Sequence, residues 1–199
     1  MVLLMERIGM IIKEYLRKEN LDRIKEIFRA NKTFPSVTLR DFIDEKAFLK
    51  MKNNLARMKF KDNYNPLFFS YKRCESGRIV KDFFNSEVIS FIEEIIGMRI
   101  KKPAPDKFMI FSFGWKDYTV LNDKTAEKDG VDLIFDFTDG WDERFGGAVV
   151  YSNGKDDFLR ISSMENTLSI VERKNSQRFV QYVNHYAEGR SKLFILISL

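Results

Sequence analysis

Few side chains in this sequence are equipped for chemistry. The 199 residues include one histidine, His185, and one cysteine, Cys74. With no second histidine, and Cys74 in a charged turn, a cysteine–histidine nucleophile pair has no support. A Ser–His–Asp relay would have His185 as its sole base, and no nucleophile-elbow motif accompanies it. Gly140 and the pair Gly146–Gly147 do not form a phosphate-cradling loop. Asp132, Asp136 and Asp142 lie in a carboxylate-rich stretch. Alternate-residue spacing predicts an exposed sheet face for Asp132 and Asp136 rather than a paired acid and base. Their spacing does not match a calcium loop either.

The elements that carry these residues change character along the chain. Ile8, Ile11, Ile12, Tyr15 and Leu16, then Ile24, Ile27 and Phe28, fall at helical spacing, which predicts helix from Leu4 to Ala30 with a break near Asn20. Pro35 ends it, and Ser36–Leu39 reads as a short strand. A second helix is predicted over Asp44–Met58, and a third over Asp82–Ile96, stopped by Gly97. Asn63–Pro66 is a turn, Phe68 to Tyr71 fit no element clearly, and Lys101–Pro105 is a linker. Beyond Pro105, short apolar segments punctuated by Gly, Asn and Asp predict strands. They span Phe108–Phe113, Tyr118–Asn122, Val131–Phe137, Ala148–Tyr151, Thr167–Val171, Arg178–Val183 and Leu193–Leu199. That spacing suggests a sandwich or jelly roll, not a βαβ array.

Composition narrows the class further. Hydrophobic residues make up 44% of the chain and nineteen are Phe, enough for a single substantial core. The net charge of +5 and pI of about 9.2 permit nucleic-acid binding without demanding it, because 29 acidic residues are interspersed. No apolar run reaches the ~20 residues that cross a bilayer. The opening Met1–Met10 carries Glu6 and Arg7 and resembles no secretion signal. A single cysteine precludes an internal disulfide and predicts a cytoplasmic setting.

The run YTVLNDKTAEKDGVDLIFDFTDGWDERFGG, Tyr118 to Gly147, resembles the core of the prolyl-hydroxylase-like 2-oxoglutarate/Fe(II) oxygenases, in particular the ribosomal prolyl hydroxylase branch. In that family a tyrosine-led strand ends in His-x-Asp. A long strand then leads to a tryptophan and a Gly-Gly pair, here Trp141 and Gly146–Gly147. The later run RFVQYVNHYAEGRSKLFIL is similar to the family's His-x-Val strand and its 2-oxoglutarate-binding arginine. FPSVTLRDFIDEKAF is similar to its first strand and helix. The resemblance implies an α+β fold, a double-stranded β-helix (jelly roll) over residues 34–199, with residues 1–33 as an N-terminal helical segment and helices covering the barrel.

Laid onto this sequence, the family's first histidine ligand falls on Asn122 and its carboxylate on Lys124. The distal histidine falls on Arg178, or on Gln177 if the register slips by one. The 2-oxoglutarate arginine falls on Arg190, with Lys192 as a stand-in. An amide and cations suit a dication poorly, since like charges ~4 Å apart repel by several kcal/mol even at a generous dielectric. No placement of His185 supplies two imidazoles, and strand parity sets it opposite Arg178, Val180 and Tyr182. Parity turns Tyr118, Val120, Asn122 and Lys124 toward the barrel interior, where Arg178 and Arg190 would join them to hold a carboxylate or phosphate. Glu172 or Asp136 could instead neutralise those cations as structural ion pairs.

The expectation is a catalytically silent oxygenase-like protein that binds a protein, a peptide or an anionic ligand. Its ligand-binding residues would be Arg190, Tyr118, Asn122, Lys124 and Arg178, with no catalytic residue and no metal ligand. Iron is not expected, while 2-oxoglutarate or another carboxylate could bind. The alternatives are an active 2-oxoglutarate-dependent dioxygenase with an atypical metal site, and a module associated with RNA or the ribosome. No membrane association is expected.

Overall fold

The computed structural model describes residues 10–74, 83–100, 108–120 and 129–199. Helices α2 (Glu45–Ala56) and α3 (Ser86–Ile96) begin at side-chain caps. Asp44 accepts from the N–H groups of Lys46 and Ala47, and Asn85 from that of Val88. These bonds satisfy donors that a first helical turn leaves open. Gly97 closes α3 at φ 73°, its N–H donating to the Glu93 carbonyl, as the sequence predicts. Helix α1 (Lys18–Ala30) follows a 3-10 turn, Lys13–Leu16, and an extended Arg17. The break therefore lies at Arg17 rather than near Asn20, and residues 1–9 lie outside the described part.

Eleven strands are described: β1 (Ser36–Leu39), β2 (Lys61–Asn65), β3 (Phe69–Cys74), β4 (Phe108–Gly114), β5 (Tyr118–Thr119), β6 (Gly130–Asp136), β7 (Val149–Ser152), β8 (Phe158–Ile161), β9 (Thr167–Arg173), β10 (Gln177–Val180) and β11 (Ser191–Ser198). The larger sheet runs β1-β9-β6-β11-β4-β3-β2 with β5 on β3, and the smaller runs β10-β7-β8. Every ladder is antiparallel. From β6 onward the chain passes back and forth between the sheets, which is the winding of a double-stranded β-helix.

Two cores result. Odd-numbered residues of β6 (Val131, Leu133, Phe135) pack with Phe48, Met51 and Leu55 of α2 and with Val88, Phe91 and Ile92 of α3. Ile134, on the other face of β6, packs between the sheets with Val149, Tyr151 and Val180. Phe135 sits at the centre of the first core, with its ring centroid 4.5 Å from that of Phe83 and 4.8 Å from that of Phe137.

Three strand expectations need correction. The stretch around Phe68 to Tyr71 belongs to a hairpin, β2–β3, whose first strand, KDNYN, is too polar to read as one. Phe158–Ile161 is a further strand, β8, next to β7. And β10 ends at Val180, because Val183 turns away to exchange backbone bonds with Lys116 and Asp117, each 2.9 Å. Among the described residues, β5 and β10 share no ladder; the Thr119 hydroxyl accepts from the Val180 N–H at 2.7 Å instead.

Phe135→Ala should destabilise the fold by about 3–5 kcal/mol, the usual cost of emptying a packed aromatic site. Chemical denaturation would measure it as a lowered midpoint.

Candidate functional site

Between the sheets, one carboxylate gathers side chains from four strands. Asp132 of β6 is 0% exposed. Its Oδ2 accepts from the Tyr151 hydroxyl of β7 at 2.8 Å and pairs with Nη1 of Arg178 of β10. Its Oδ1 accepts from the Ser198 hydroxyl of β11 at 2.9 Å and pairs with Nε of Arg173 of β9 at 3.1 Å. Arg178 stands opposite Tyr151 in the β10–β7 register, which aims both at the same oxygen. A carboxylate out of water needs this many partners. Burial, with the Asp132 charge adding to it, pushes the Tyr151 hydroxyl well above its ordinary range, so it stays a donor.

Asp136, four residues further along β6 on the same face, accepts from the Thr138 N–H at 2.7 Å. Burial raises its carboxyl above the usual range, opposed by the charge of Lys192. Lys192 of β11 is itself 0% exposed, donating to the Gly147 carbonyl at 2.9 Å. Burial pushes its ammonium down to about 8, against the opposing pull of Asp136. The expectation that Asp132 and Asp136 line an exposed sheet face is therefore overturned. Helices cover one face of β6 and the smaller sheet covers the other, so neither face reaches water.

The Gly146–Gly147 pair is required by close approach. Gly146 has φ 80°, and a Cβ there would lie 2.2 Å from the Tyr182 carbonyl oxygen. Gly147 has φ 73°, and a Cβ would lie 3.2 Å from the Trp141 ring. The Trp141 indole donates to the Gly146 carbonyl at 2.9 Å. These residues hold the start of β7 against the end of β10.

The candidate ligand residues separate. Asn122 and Lys124 lie outside the described residues. Arg178 faces the interior, and the carboxylate that meets it is Asp132, not Glu172 or Asp136; Glu172 pairs with Lys174 at 3.4 Å. Arg190 does not join Arg178. It is exposed, donating to the Gly140 carbonyl at 3.1 Å with its guanidinium over the Phe145 ring, because it lies in the turn before β11. Lys192, two residues on, is the inward cation. Tyr118 also turns outward, its hydroxyl on the Pro66 carbonyl at 2.9 Å and its ring 6.4 Å from that of Tyr182. A strand of two residues is too short for alternation to set its facing, and Tyr182, beyond the end of β10, shares no face with Arg178. His185 opens an exposed 3-10 turn, its ring against Tyr186. Cys74 ends β3 opposite Ile110 rather than lying in a turn, packed against the helix-side core.

The interior holds a cavity of about 280 Å³. One wall is aromatic: Phe69 and Tyr71 of β3, Phe111 and Phe113 of β4, and Phe194 of β11. Thr119, Gln177 and Arg178 supply the polar part of the lining. An open groove of about 660 Å³ adjoins it outside, bordered by Tyr118, Glu143, Arg144, Arg160 and Tyr182. Thr119, Val120, Phe179 and Val180 line both spaces.

This architecture is the double-stranded β-helix of prolyl hydroxylases and related 2-oxoglutarate/Fe(II) oxygenases. The chain is similar to an oxidoreductase of the 2OG-Fe(II) oxygenase family from Burkholderia pseudomallei, with a TM-score of 0.65 and 10% identity over 92% of this chain and 91% of that one. A Pseudomonas putida prolyl-4-hydroxylase matches with a TM-score of 0.62 and 8% identity, over 88% and 97%. A prolyl hydroxylase from Trichoplax adhaerens, in complex with a hypoxia inducible factor oxygen degradation domain peptide fragment, matches at 0.62 and 11%, over 92% of each chain. No family model matches the chain, and no curated protein matches it by sequence. Among the described residues no helix is long and apolar enough to cross a membrane.

Among the described residues, the side chains that face the interior do not fit the ferrous ion of such enzymes. A guanidinium offers no lone pair, and that of Arg178 is committed to Asp132. The chain's one imidazole stands in an exposed turn.

Asp132→Ala should cost about 3–5 kcal/mol in chemical denaturation, because it strands buried guanidinium groups without their counter-charge. Lys192 sets a pH dependence. Its folded pKa lies below its unfolded one, so the unfolded chain holds more protons and stability rises with pH between about 8 and 10. Relative to Lys192→Met, the wild type should gain ~2 kcal/mol across that window, read from denaturation midpoints at successive pH values.

Proposed function

We propose that this chain is a catalytically silent protein with the 2-oxoglutarate/Fe(II) oxygenase fold, acting as a binding module for a peptide or protein partner. The observation that carries the reading is Arg178. The resemblance sets the distal ligand on Arg178, or on Gln177 if the register slips by one, and the Arg178 guanidinium is engaged by Asp132 beside Tyr151. A metal ligand at that position must give up a lone pair, and an arginine has none.

The sequence supports the same conclusion at the other two positions, where Asn122 and Lys124 replace a histidine and a carboxylate. One histidine in 199 residues cannot supply two imidazoles. The anchor for 2-oxoglutarate is also altered. Arg190 is engaged at the surface, while Lys192 is held by the Gly147 carbonyl and faces the charge of Asp136. A dicarboxylate entering there would meet a cation that already has an anionic neighbour.

Peptide binding accords with the peptide complex formed by the prolyl hydroxylase from Trichoplax adhaerens. The groove beside Tyr118 and Tyr182, with Arg144 and Arg160 on its border, offers aromatic and hydrogen-bonding contacts for an extended chain. A reducing, cytoplasmic setting accords with the single cysteine.

Purified full-length protein, incubated with ferrous iron and 2-oxoglutarate, should retain no stoichiometric iron and release no succinate. His185→Ala should leave the metal content unchanged. Stoichiometric iron together with succinate formation would overturn the proposal.

A further inference from the structure

The interior cavity has a wall chemistry that the loss of metal ligands alone does not require. Five aromatic rings on three adjacent strands form one continuous surface. The Tyr71 ring centroid lies 5.2 Å from that of Phe111 and 5.5 Å from that of Phe113. The Phe194 centroid lies 5.5 Å from Phe111 and 5.8 Å from Phe113, stacked on the latter at 6°. Val149, Val180 and Leu196 add aliphatic surface to the lining.

Two polar side chains of the lining, Thr119 and Arg178, have partners in the fold itself. Thr119 accepts from the Val180 N–H, and Arg178 pairs with Asp132. Most of the lining is apolar, so a guest that covers the aromatic wall removes apolar surface from water. A dry cavity of ~150 Å³ accommodates benzene; this one, at about 280 Å³, has room for a fused pair of rings. Its size lies near the lower end of small-molecule sites.

We infer that this cavity is a binding site for a small, uncharged aromatic molecule, a fused bicycle with at most one polar atom. The inference rests on the reading that the barrel no longer performs iron chemistry, and it names the class of ligand the emptied interior accepts. Stacked and edge-on contacts with the Phe111–Phe113–Phe194 surface would orient the guest. The half-exposed Phe68 and the adjoining groove, which shares Thr119, Val120, Phe179 and Val180 with the cavity, provide the way in. A carboxylate would have to leave water for a wall whose cation already has a partner, so charged guests are disfavoured.

The test uses indole as the probe on the full-length chain, with methyl-detected NMR and calorimetry. Indole should bind saturably at one site per chain and shift the methyl signals of Val149, Val180 and Leu196. 2-Oxoglutarate should leave those signals in place. Leu196→Phe, which fills the cavity, should weaken indole binding by about tenfold or more, while Phe158→Ala, an exposed change on β8, should not alter it. The methyl shifts of the wild type decide the matter even if the filled variant folds poorly. No saturable indole binding, shifts elsewhere only, or tighter binding of 2-oxoglutarate than of indole would each overturn the inference. Iron retention with succinate release would bring down the silent-oxygenase reading and leave the indole result standing on its own.

Discussion

The Asp132 carboxylate is the constraint on which the interior depends. It lies on β6, an inner strand of the larger sheet, and its partners come from β7, β9, β10 and β11. Two of those strands, β7 and β10, belong to the smaller sheet. The apolar residues of the inner core could slide past one another at modest cost. An anion with fixed donors on both of its oxygens cannot. The ion pairs and hydroxyl bonds thus set the relative position of the two sheets, and with it the depth and shape of the cavity between them.

The same arrangement accounts for the way the interior departs from metal chemistry. A facial set of ligands needs neutral or anionic donors aimed at a shared point with positions left open. Here the inward side chain of β10 is a cation aimed at a carboxylate on the opposite sheet. The scaffold features that the resemblance rests on, Trp141 and the Gly146–Gly147 pair, keep their structural work of holding β7 against the chain after β10. They do so whether or not a metal is bound, which is why they can persist in a barrel whose ligand positions have changed.

Much of the scaffold was legible in the sequence. Capped helices with apolar stripes, the β-rich half after Pro105 and the motif order around Trp141 led to the double-stranded β-helix. The hairpin β2–β3 was not legible, because its first strand is an edge strand whose outward residues are polar and whose signal is no stronger than a turn. The Asp132 and Asp136 pair was misread for a different reason. Alternation was taken to mean one wet face, but VDLIFDF has apolar residues at both parities, Leu133 and Phe135 on one and Ile134 on the other. A strand with that pattern is covered on both sides, so its aspartates must find buried partners. Arg173 and Arg178 downstream were the matching signal. Parity set Tyr118 inward, but a two-residue strand end does not fix direction, and the resemblance set Arg190 inward, where the turn before β11 instead carries it to the Gly140 carbonyl.

The barrel also carries an unlaced seam. Where β5 meets β10, a threonine hydroxyl and a few bonds beyond the strand ends stand in for a full ladder. Among the described residues, separating the strands there breaks fewer bonds than parting a long ladder such as β6–β9, so fluctuations should concentrate along that line. Parting the contacts between β5 and β10 leaves the long ladders of both sheets in register, so this is the line along which the interior is reached at least cost in backbone bonds.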